Sequence, residues 1–346
     1  MHSGPQLPVR RLGRKVATGP LTNWAAAITV RKLHQTGTAS EAEIRALAAE
    51  VAYVHEPELA AHPRRARRLE ALDAETVRPR SLKGVRFVLF DHDGTLSTLR
   101  EGWEQVMEPM MIRAILGEQH DRIDDRTYQR VVARVQGYIE RSTGLPTLRQ
   151  MQELVGLVRQ FGFVPASQIL DVHGYKALYN EALMRVVNDR LERIARGERS
   201  REDFIVKGAV EFLKALKARG LTLALASGTD QADVLREARH LGYADLFDGG
   251  IHGAVENLEH CSKRKVLEDV LAKFQASGEA VLVCGDGPVE MREARRRDAI
   301  ALGVASDEVR RFGWNYVKRS RLIRAGADYL VPDWSQGHGL LKALWG

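Results

Sequence analysis

The chain contains a short apolar segment that is followed by two acidic residues two positions apart. The segment Val85–Phe90 is followed by Asp91, His92 and Asp93, and Gly94 closes the turn. An apolar run of this length is typical of a buried strand in a parallel sheet, and ligands of such sheets bind beyond the carboxyl ends of the strands. Because side chains alternate along a strand, the two acids should lean to the same side. The pattern predicts an α/β fold with two carboxylates at a crevice, although an Asp-Gly turn is also common without any function.

A second apolar run ends in residues that suit a phosphate group. Leu221–Ala226 is followed by Ser227 and Gly228, which supply a hydroxyl and backbone N–H groups close to a predicted helix. Further along, Lys263 stands just before an amphipathic helical pattern and could hold phosphate charge. Lys265, two residues later, is the alternative lysine. We predict phosphate contacts from Ser227, Gly228 and Lys263, with Lys265 as a solvated residue at the start of the helix.

A third apolar run is followed by two more acidic residues. Ala280–Cys284 leads into Gly285 and Asp286, and Glu290 follows four residues after Asp286. Magnesium prefers oxygen ligands and keeps some of its water, so a few carboxyl or carbonyl groups suffice to bind it. Asp286 and Glu290 are therefore predicted to belong to a Mg²⁺ site.

Taken in order, these stretches resemble the haloacid dehalogenase superfamily of phosphotransferases. The resemblance spans residues 84–346. It implies that Asp91 attacks phosphorus and forms an aspartyl-phosphate, while Asp93 protonates the leaving oxygen and then activates water. It also implies that Ser227, Gly228 and Lys263 hold the phosphoryl group.

The same resemblance implies the metal ligands. Asp91, the carbonyl oxygen of Asp93 and Asp286 would bind Mg²⁺, and Glu290 would support it directly or through water. Many members of the superfamily carry Asp where this chain has Glu290. An acid at the position of Asp93 is typical of the phosphatase and mutase branches, whereas pump-type ATPases carry Thr there.

The interval between the first two predicted strands is much longer than one crossover helix requires. Apolar residues recur there at helical spacing, which predicts several helices. We predict a doubly wound, mostly parallel core made of residues 81–97 and 204–346. Residues 98–203 are predicted to form an inserted, all-helical cap domain, and residues 1–80 a basic, helical N-terminal extension or linker.

A cap implies a small substrate that is enclosed during turnover. The expected substrate is a small phosphorylated metabolite, such as a sugar phosphate or a phosphoglycolate-like compound, hydrolysed as a phosphomonoester. Tyr175, Lys176 and Tyr179 are candidates for contacting its leaving group, although the two tyrosines have the spacing of core residues. Two alternatives remain open: a phosphomutase of the same fold, and a protein that keeps the fold but only binds.

Charge and cysteine content narrow the expected partners. The net charge is +7, but residues 1–80 hold 13 Lys and Arg against 8 Asp and Glu, so the basic character is mainly N-terminal. The arginines at 64–68 have few aromatic neighbours, which favours a solvated face over nucleic-acid binding. Two cysteines are too few for a disulfide framework, and no apolar run could span a membrane. We expect a cytoplasmic protein without a membrane partner.

A second resemblance concerns the N-terminal segment. The residues at 23–40, Asn-Trp-Ala-Ala-Ala-Ile-Thr-Val-Arg-Lys-Leu and the Gln-Thr-Gly-Thr-Ala-Ser that ends them, are similar to the last helix and tail of ribokinase-like sugar kinases. The Gly-Ala-Gly-Asp stretch of those kinases is missing, so no kinase activity is expected. An ordinary alanine-rich helix explains the same residues.

Overall fold

The computed structural model describes Ser40, Ala42 and residues 61–142, 145, 147–254, 263–273 and 277–346. The kinase-like segment at 23–39 lies outside these residues. An eight-stranded sheet runs through the described part. Its strands are β1 (Arg67–Arg68), β2 (Glu75–Thr76), β3 (Phe87–Phe90), β4 (Thr222–Asp230), β5 (Gly250–Ala254), β6 (Val281–Gly285), β7 (Ile300–Val304) and β8 (Tyr329–Val331).

The sheet is mostly parallel and β3 lies inside it. The strand order is β1-β2-β8-β7-β6-β3-β4-β5, and the six strands from β8 to β5 are parallel to one another. Phe90 pairs with Leu225 on β4 and with Cys284 on β6. The residues that follow these three positions therefore meet at one edge of the sheet.

Helices cover both faces of the sheet, because the strand side chains alternate and are apolar on both sides. The helices are α1 (Trp103–Leu116), α2 (Asp125–Ser142), α3 (Thr147–Phe161), α4 (Val172–Ala195), α5 (Ala209–Ala218), α6 (Gln231–His240), α7 (Lys263–Lys273), α8 (Pro288–Arg296), α9 (Tyr316–Ala325) and α10 (Gly337–Trp345). Val88 and Phe90 join the core under α5, α6 and α10, whereas Phe87 and Leu89 join the core under α7, α8 and α9. The predicted doubly wound α/β fold is confirmed.

Helices α1 to α4 all lie between β3 and β4 in the chain. Each buries one apolar face; in α3 this face includes Met151, Leu154 and Val158. Arg190 of α4 donates to the backbone carbonyls of Leu99, at 2.7 Å, and Glu101, at 2.9 Å. The longest helix of the insertion is thus tied to the segment through which the chain leaves the core.

The described part of the N-terminal extension differs from the helical linker expected there. Residues 61–80 contain β1 and β2, and β2 pairs antiparallel with β8 at the edge of the sheet. The buried carboxylate of Glu75 accepts from Arg319 Nε at 2.6 Å. Strands of two residues have no alternation that a sequence pattern can reveal, and their partner on β8 is distant in sequence. Among the described residues, no helix is long and apolar enough to cross a membrane.

Candidate active site

Asp91 follows the central strand directly and is almost fully buried. Its backbone N–H donates to the carbonyl of Cys284 at 2.8 Å, which continues the pairing of β3 with β6 by one residue. Its side chain is 5% exposed, and Oδ1 accepts from the backbone N–H of His92 at 2.8 Å. The carboxylate of Asp91 is therefore held in a fixed orientation beside the end of β6.

Asp93 lies where the ends of β3 and β4 meet. Its Oδ2 accepts from the hydroxyl of Thr229 at 2.9 Å and from that of Ser227 at 3.4 Å. Ser227 is thus brought together with the acidic pair, as its predicted role requires. The strand continues further than expected: Ser227 and Gly228 lie within β4, at a register irregularity between Ala226 and Asp230. Thr229 was not predicted, although it adjoins the Ser-Gly pair in sequence.

Arg100 balances the acids around Asp93. It is buried, donates to Glu237 Oε1 from Nη2 at 2.6 Å, and lies 3.9 Å from Asp93 Oδ1 and 3.7 Å from Asp233 Oδ2. The Glu237 side chain is completely buried on α6. Sequence reasoning missed this pair, but Glu237 is a carboxylate on the same helical face as Val234 and Ala238, and that is a detectable signal.

His92 completes the surroundings of Asp93. Its Nε2 lies 2.8 Å from the phenolic oxygen of Tyr243, and its Nδ1 lies 3.4 Å from Asp93 Oδ1 and 3.9 Å from Glu237 Oε2. Burial raises the pKa of Tyr243, so its phenol stays protonated. Nδ1 faces the two carboxylates, and the direction of the hydrogen bond between Nε2 and Tyr243 depends on the tautomer of the imidazole.

These neighbours decide the charge of Asp93. Burial by itself would raise the pKa of this carboxyl group, but His92 and then Arg100 more than reverse that effect, and the pKa of Asp93 lies well below its ordinary value. Asp93 is therefore ionised at neutral pH in the absence of substrate. His92, Asp93 and Glu237 could in principle hold a metal, since their ligand atoms lie within 4.8 Å of one another. Glu237 is already paired with Arg100. These three side chains are therefore better explained as part of the polar network around Asp93.

The side chain of Asp286 lies very close to Gly94, in the turn that follows β3. Gly94 has φ +69, and a Cβ atom there would lie 2.2 Å from Asp286 Oδ2. Both the left-handed backbone and this close approach require glycine. Asp286 is buried, and its Oδ2 accepts from Lys318 Nζ at 2.8 Å. The same ammonium lies 2.7 Å from Glu308 Oε1. Neither Lys318 nor Glu308 was predicted, because both come from elements far along the chain.

Glu290 folds back toward the turn that carries Asp286. It lies in the first turn of α8 and is 3% exposed. Hypothetical Cβ atoms on Gly285 and Gly287 would lie 2.7 Å from Glu290 Cγ and 2.5 Å from its Oε2, so both glycines make room for this side chain. The Glu290 side chain therefore lies against the two glycines that flank Asp286.

The two candidate lysines lie on α7. Lys263 is the first residue of this helix, and its side chain lies outside the described part. Lys265 Nζ lies 2.5 Å from Asp269 Oδ1, one helical turn along the same helix. An exposed pair of this kind agrees with the interpretation of Lys265 as a solvated helix residue.

Helix α4 of the insertion also reaches this edge of the sheet. Lys176 Nζ lies 2.6 Å from Asp230 Oδ1, and Asn180 donates to Asp230 Oδ2 at 3.1 Å. Tyr179 is buried, and burial raises the pKa of its phenol, on which the charges of Arg100, Glu104 and Asp93 also act. Tyr175 is buried in the apolar core. Of the predicted trio, Lys176 pairs with an acid at this edge, whereas Tyr175 and Tyr179 are both buried in the apolar core.

The donor set fits Mg²⁺. Asp91 and Asp286 follow neighbouring strands directly, Glu290 lies in the first turn of α8, and all three side chains are buried. The imidazole of the adjacent His92 is hydrogen-bonded to the phenol of Tyr243. Oxygen donors without nitrogen or sulfur are the set that Mg²⁺ prefers.

The chain is similar to one family of known proteins. Residues 85–296, more than half of the chain, match the family model of the haloacid dehalogenase-like hydrolases. A predicted phosphatase from Clostridium acetobutylicum is 16% identical, covering 75% of this chain and 99% of its own, with a TM-score of 0.46. A predicted phosphoglycolate phosphatase from Haemophilus somnus is 16% identical, covering 74% and 98%, with a TM-score of 0.49. A β-phosphoglucomutase from Clostridium difficile is 13% identical, covering 75% and 97%, with a TM-score of 0.49. No curated protein matches the chain.

Proposed function

Because the chain belongs to the haloacid dehalogenase-like hydrolases, we propose that it is a Mg²⁺-dependent phosphatase that hydrolyses a small phosphomonoester through an aspartyl-phosphate on Asp91. One observation carries the proposal: a buried carboxylate at the end of the central strand has a second, ionised carboxylate two residues away and a third beside it at the end of β6.

In the first step, a carboxylate oxygen of Asp91 forms a bond to phosphorus and the bond from phosphorus to the leaving oxygen breaks. The carboxyl group of Asp93 gives its proton to that oxygen. Arrival of a phosphate dianion beside Asp93 raises the pKa of this group, which supplies the protonated form that the step needs.

In the second step, the carboxylate of Asp93 takes a proton from water while the water oxygen attacks phosphorus. The bond between phosphorus and Asp91 breaks and inorganic phosphate leaves. The low pKa of Asp93 in the substrate-free protein suits this step, because a base must be ionised. Thr229 orients the carboxylate by donating to Oδ2 at 2.9 Å, which leaves the Ser227 hydroxyl for the phosphoryl group.

Phosphoryl transfer depends mostly on positioning and on neutralising the charge of the phosphoryl oxygens. Asp91, the Asp93 carbonyl, Asp286 and Glu290 are the groups that would hold Mg²⁺, which when bound neutralises part of that charge. Ser227, Gly228 and Lys263 are proposed to donate to the phosphoryl oxygens. Arg100 stays with Glu237 and fixes the surroundings of Asp93.

We assign the cap role to residues 98–203, with the core formed by residues 81–97 and 204–346. The contact of Lys176 with Asp230 supports this division, because it brings the insertion to the edge of the sheet where the acids lie. A substrate enclosed between α4 and this edge must be small, such as a sugar phosphate or a phosphoglycolate-like compound. Lys176 is the proposed contact of its leaving group.

The proposal is tested by measuring phosphate release from a panel of sugar phosphates, phosphoglycolate and nucleoside monophosphates with Mg²⁺. Asp91→Asn and a chelator-treated sample are the controls. We expect hydrolysis of one or a few members, lost in both controls. Folded wild-type protein that binds Mg²⁺ but releases no phosphate from any member would contradict the proposal, and transfer of the phosphoryl group to another oxygen of the same sugar would identify a mutase.

A further inference from the structure

Lys318 places a positive charge on the carboxylate that is proposed to bind the metal. This lysine lies on α9 and is 5% exposed. Its ammonium donates to Asp286 Oδ2 at 2.8 Å and to Glu308 Oε1 at 2.7 Å. A buried ammonium needs partners of this kind, since an unpaired charge in the interior is strongly unfavourable.

The position of Lys318 is fixed by its backbone. Asn315 caps α9, and its side chain accepts from the N–H of Lys318 at 3.0 Å. The loop between β7 and α9, which carries Glu308, is held to the first turn by Ser306, whose hydroxyl donates to the carbonyl of Gly94 at 3.1 Å. The ammonium is therefore brought to Asp286 by two elements that are themselves anchored.

The ammonium contacts the Asp286 oxygen that faces the first turn. The oxygen that accepts from Lys318 is Oδ2, and Oδ2 is the atom that approaches Gly94 most closely. Gly94 follows Asp93, whose carbonyl oxygen is a proposed ligand of Mg²⁺. The lysine and the metal would thus draw on the same carboxylate oxygen, and two cations repel each other at such short range.

We propose that Lys318 is a resident cation that holds Asp286 in the metal-free protein and competes with Mg²⁺ for it. Its ammonium keeps the acids of the site assembled before the metal arrives, and Glu308 retains the ammonium when the metal takes Asp286. The consequence is a lower affinity for Mg²⁺ than the acids alone would produce. The inference rests on the proposed function, because that function requires Mg²⁺ at Asp286.

The test is isothermal titration of Mg²⁺ into metal-free, full-length protein, together with thermal unfolding in chelator and in Mg²⁺. Lys318→Met should bind Mg²⁺ about tenfold more tightly than wild type, since a nearby positive charge is removed. In chelator its unfolding temperature should be lower than that of wild type. Added Mg²⁺ should raise this temperature more in the variant than in wild type. Lys318→Arg, which keeps the charge, should retain an affinity close to that of wild type.

Lys207→Met is the matched control, because Lys207 is an exposed lysine whose ammonium lies over the ring of Phe312, 5.0 Å from its centre. It should leave Mg²⁺ affinity unchanged. If Lys318→Met does not fold, Glu308→Gln takes its place: with its second partner gone, Lys318 should pair with Asp286 alone and weaken Mg²⁺ binding. Affinity in Lys318→Met equal to or weaker than that of wild type, or unchanged affinity in Glu308→Gln, overturns the inference.

The two proposals fail in different ways. Wild-type protein that binds Mg²⁺ and hydrolyses a phosphomonoester, with no tighter binding in Lys318→Met, overturns the role of Lys318 and leaves the phosphatase intact. Absence of Mg²⁺ binding in wild type and variant alike overturns both. Binding that occurs only in Lys318→Met supports the competition most strongly.

Discussion

Arg100 is the residue on which the buried acids around Asp93 depend. Its guanidinium faces Glu237, Asp233 and Asp93, and these acids raise its pKa further. Removing one partner of a buried ion pair leaves an uncompensated charge, which destabilises far more than the pair itself stabilises. Arg100 therefore serves both the stability of the core edge and the ionisation of Asp93.

We expect Arg100→Met to lower the free energy of unfolding by about 3–5 kcal/mol, because Glu237 loses its partner inside the protein. Urea denaturation measures the effect. The double variant Arg100→Met/Glu237→Leu should recover part of the loss, since no buried charge is left unpaired. A single variant within about 0.5 kcal/mol of wild type would contradict the role given to Arg100.

Gly94 leaves space for Asp286, and a comparison with Gly197 separates this effect from backbone strain. Gly94→Ala places a methyl group against Asp286 Oδ2, whereas Gly197 has a nearly identical φ of +70 with nothing within 4 Å of its Cβ position. Both substitutions incur the left-handed strain of about 1–2 kcal/mol. Only Gly94→Ala should displace Asp286, so it should lose nearly all phosphate release while Gly197→Ala keeps it. Equal activity in the two variants would show that Asp286 tolerates the displacement.

At the level of elements, α4 connects the helical insertion to the edge of the sheet. Lys176 contributes to this connection through Asp230, while Arg185 on the same helix pairs only with exposed Glu181 among the described residues. We expect Lys176→Met to raise KM about tenfold with a smaller change in kcat, because it removes a contact made to the bound substrate in both ground and transition states. Arg185→Met is the control and should match wild type. An unchanged KM in Lys176→Met would remove this lysine from the substrate site.

The edge strands β1 and β2 are the second element with a testable role. Glu75 on β2 forms a buried pair with Arg319, and Arg78 lies 2.6 Å from the buried carboxylate of Asp328. A chain that starts at Arg80 loses both partners and should unfold about 3 kcal/mol more easily than a chain that starts at residue 61. Thermal and urea unfolding of the two shortened chains compare them directly. Equal stability would mean that residues 61–79 are a dispensable appendage.

For the molecule as a whole, the features that could be predicted from the sequence are those that depend on residues close together in the chain. The alternation of Val85–Phe90 and the acids that follow it predicted a parallel core with carboxylates at its edge, and helical spacing predicted the insertion. Lys318 and Tyr243 could not be predicted, because each reaches the site from an element that only the fold brings near. The strands β1 and β2 escaped notice because two residues carry no period.

The proposed mechanism depends above all on the phosphorylation of Asp91 during turnover. The most direct test is to quench the protein with acid while it hydrolyses its best substrate and to identify the modified peptide by mass spectrometry. We expect the mass of one phosphoryl group on Asp91 in wild-type protein, lost on treatment with hydroxylamine and absent in Asp91→Asn. A phosphoryl group on another residue, or active turnover in Asp91→Asn, would contradict the claim.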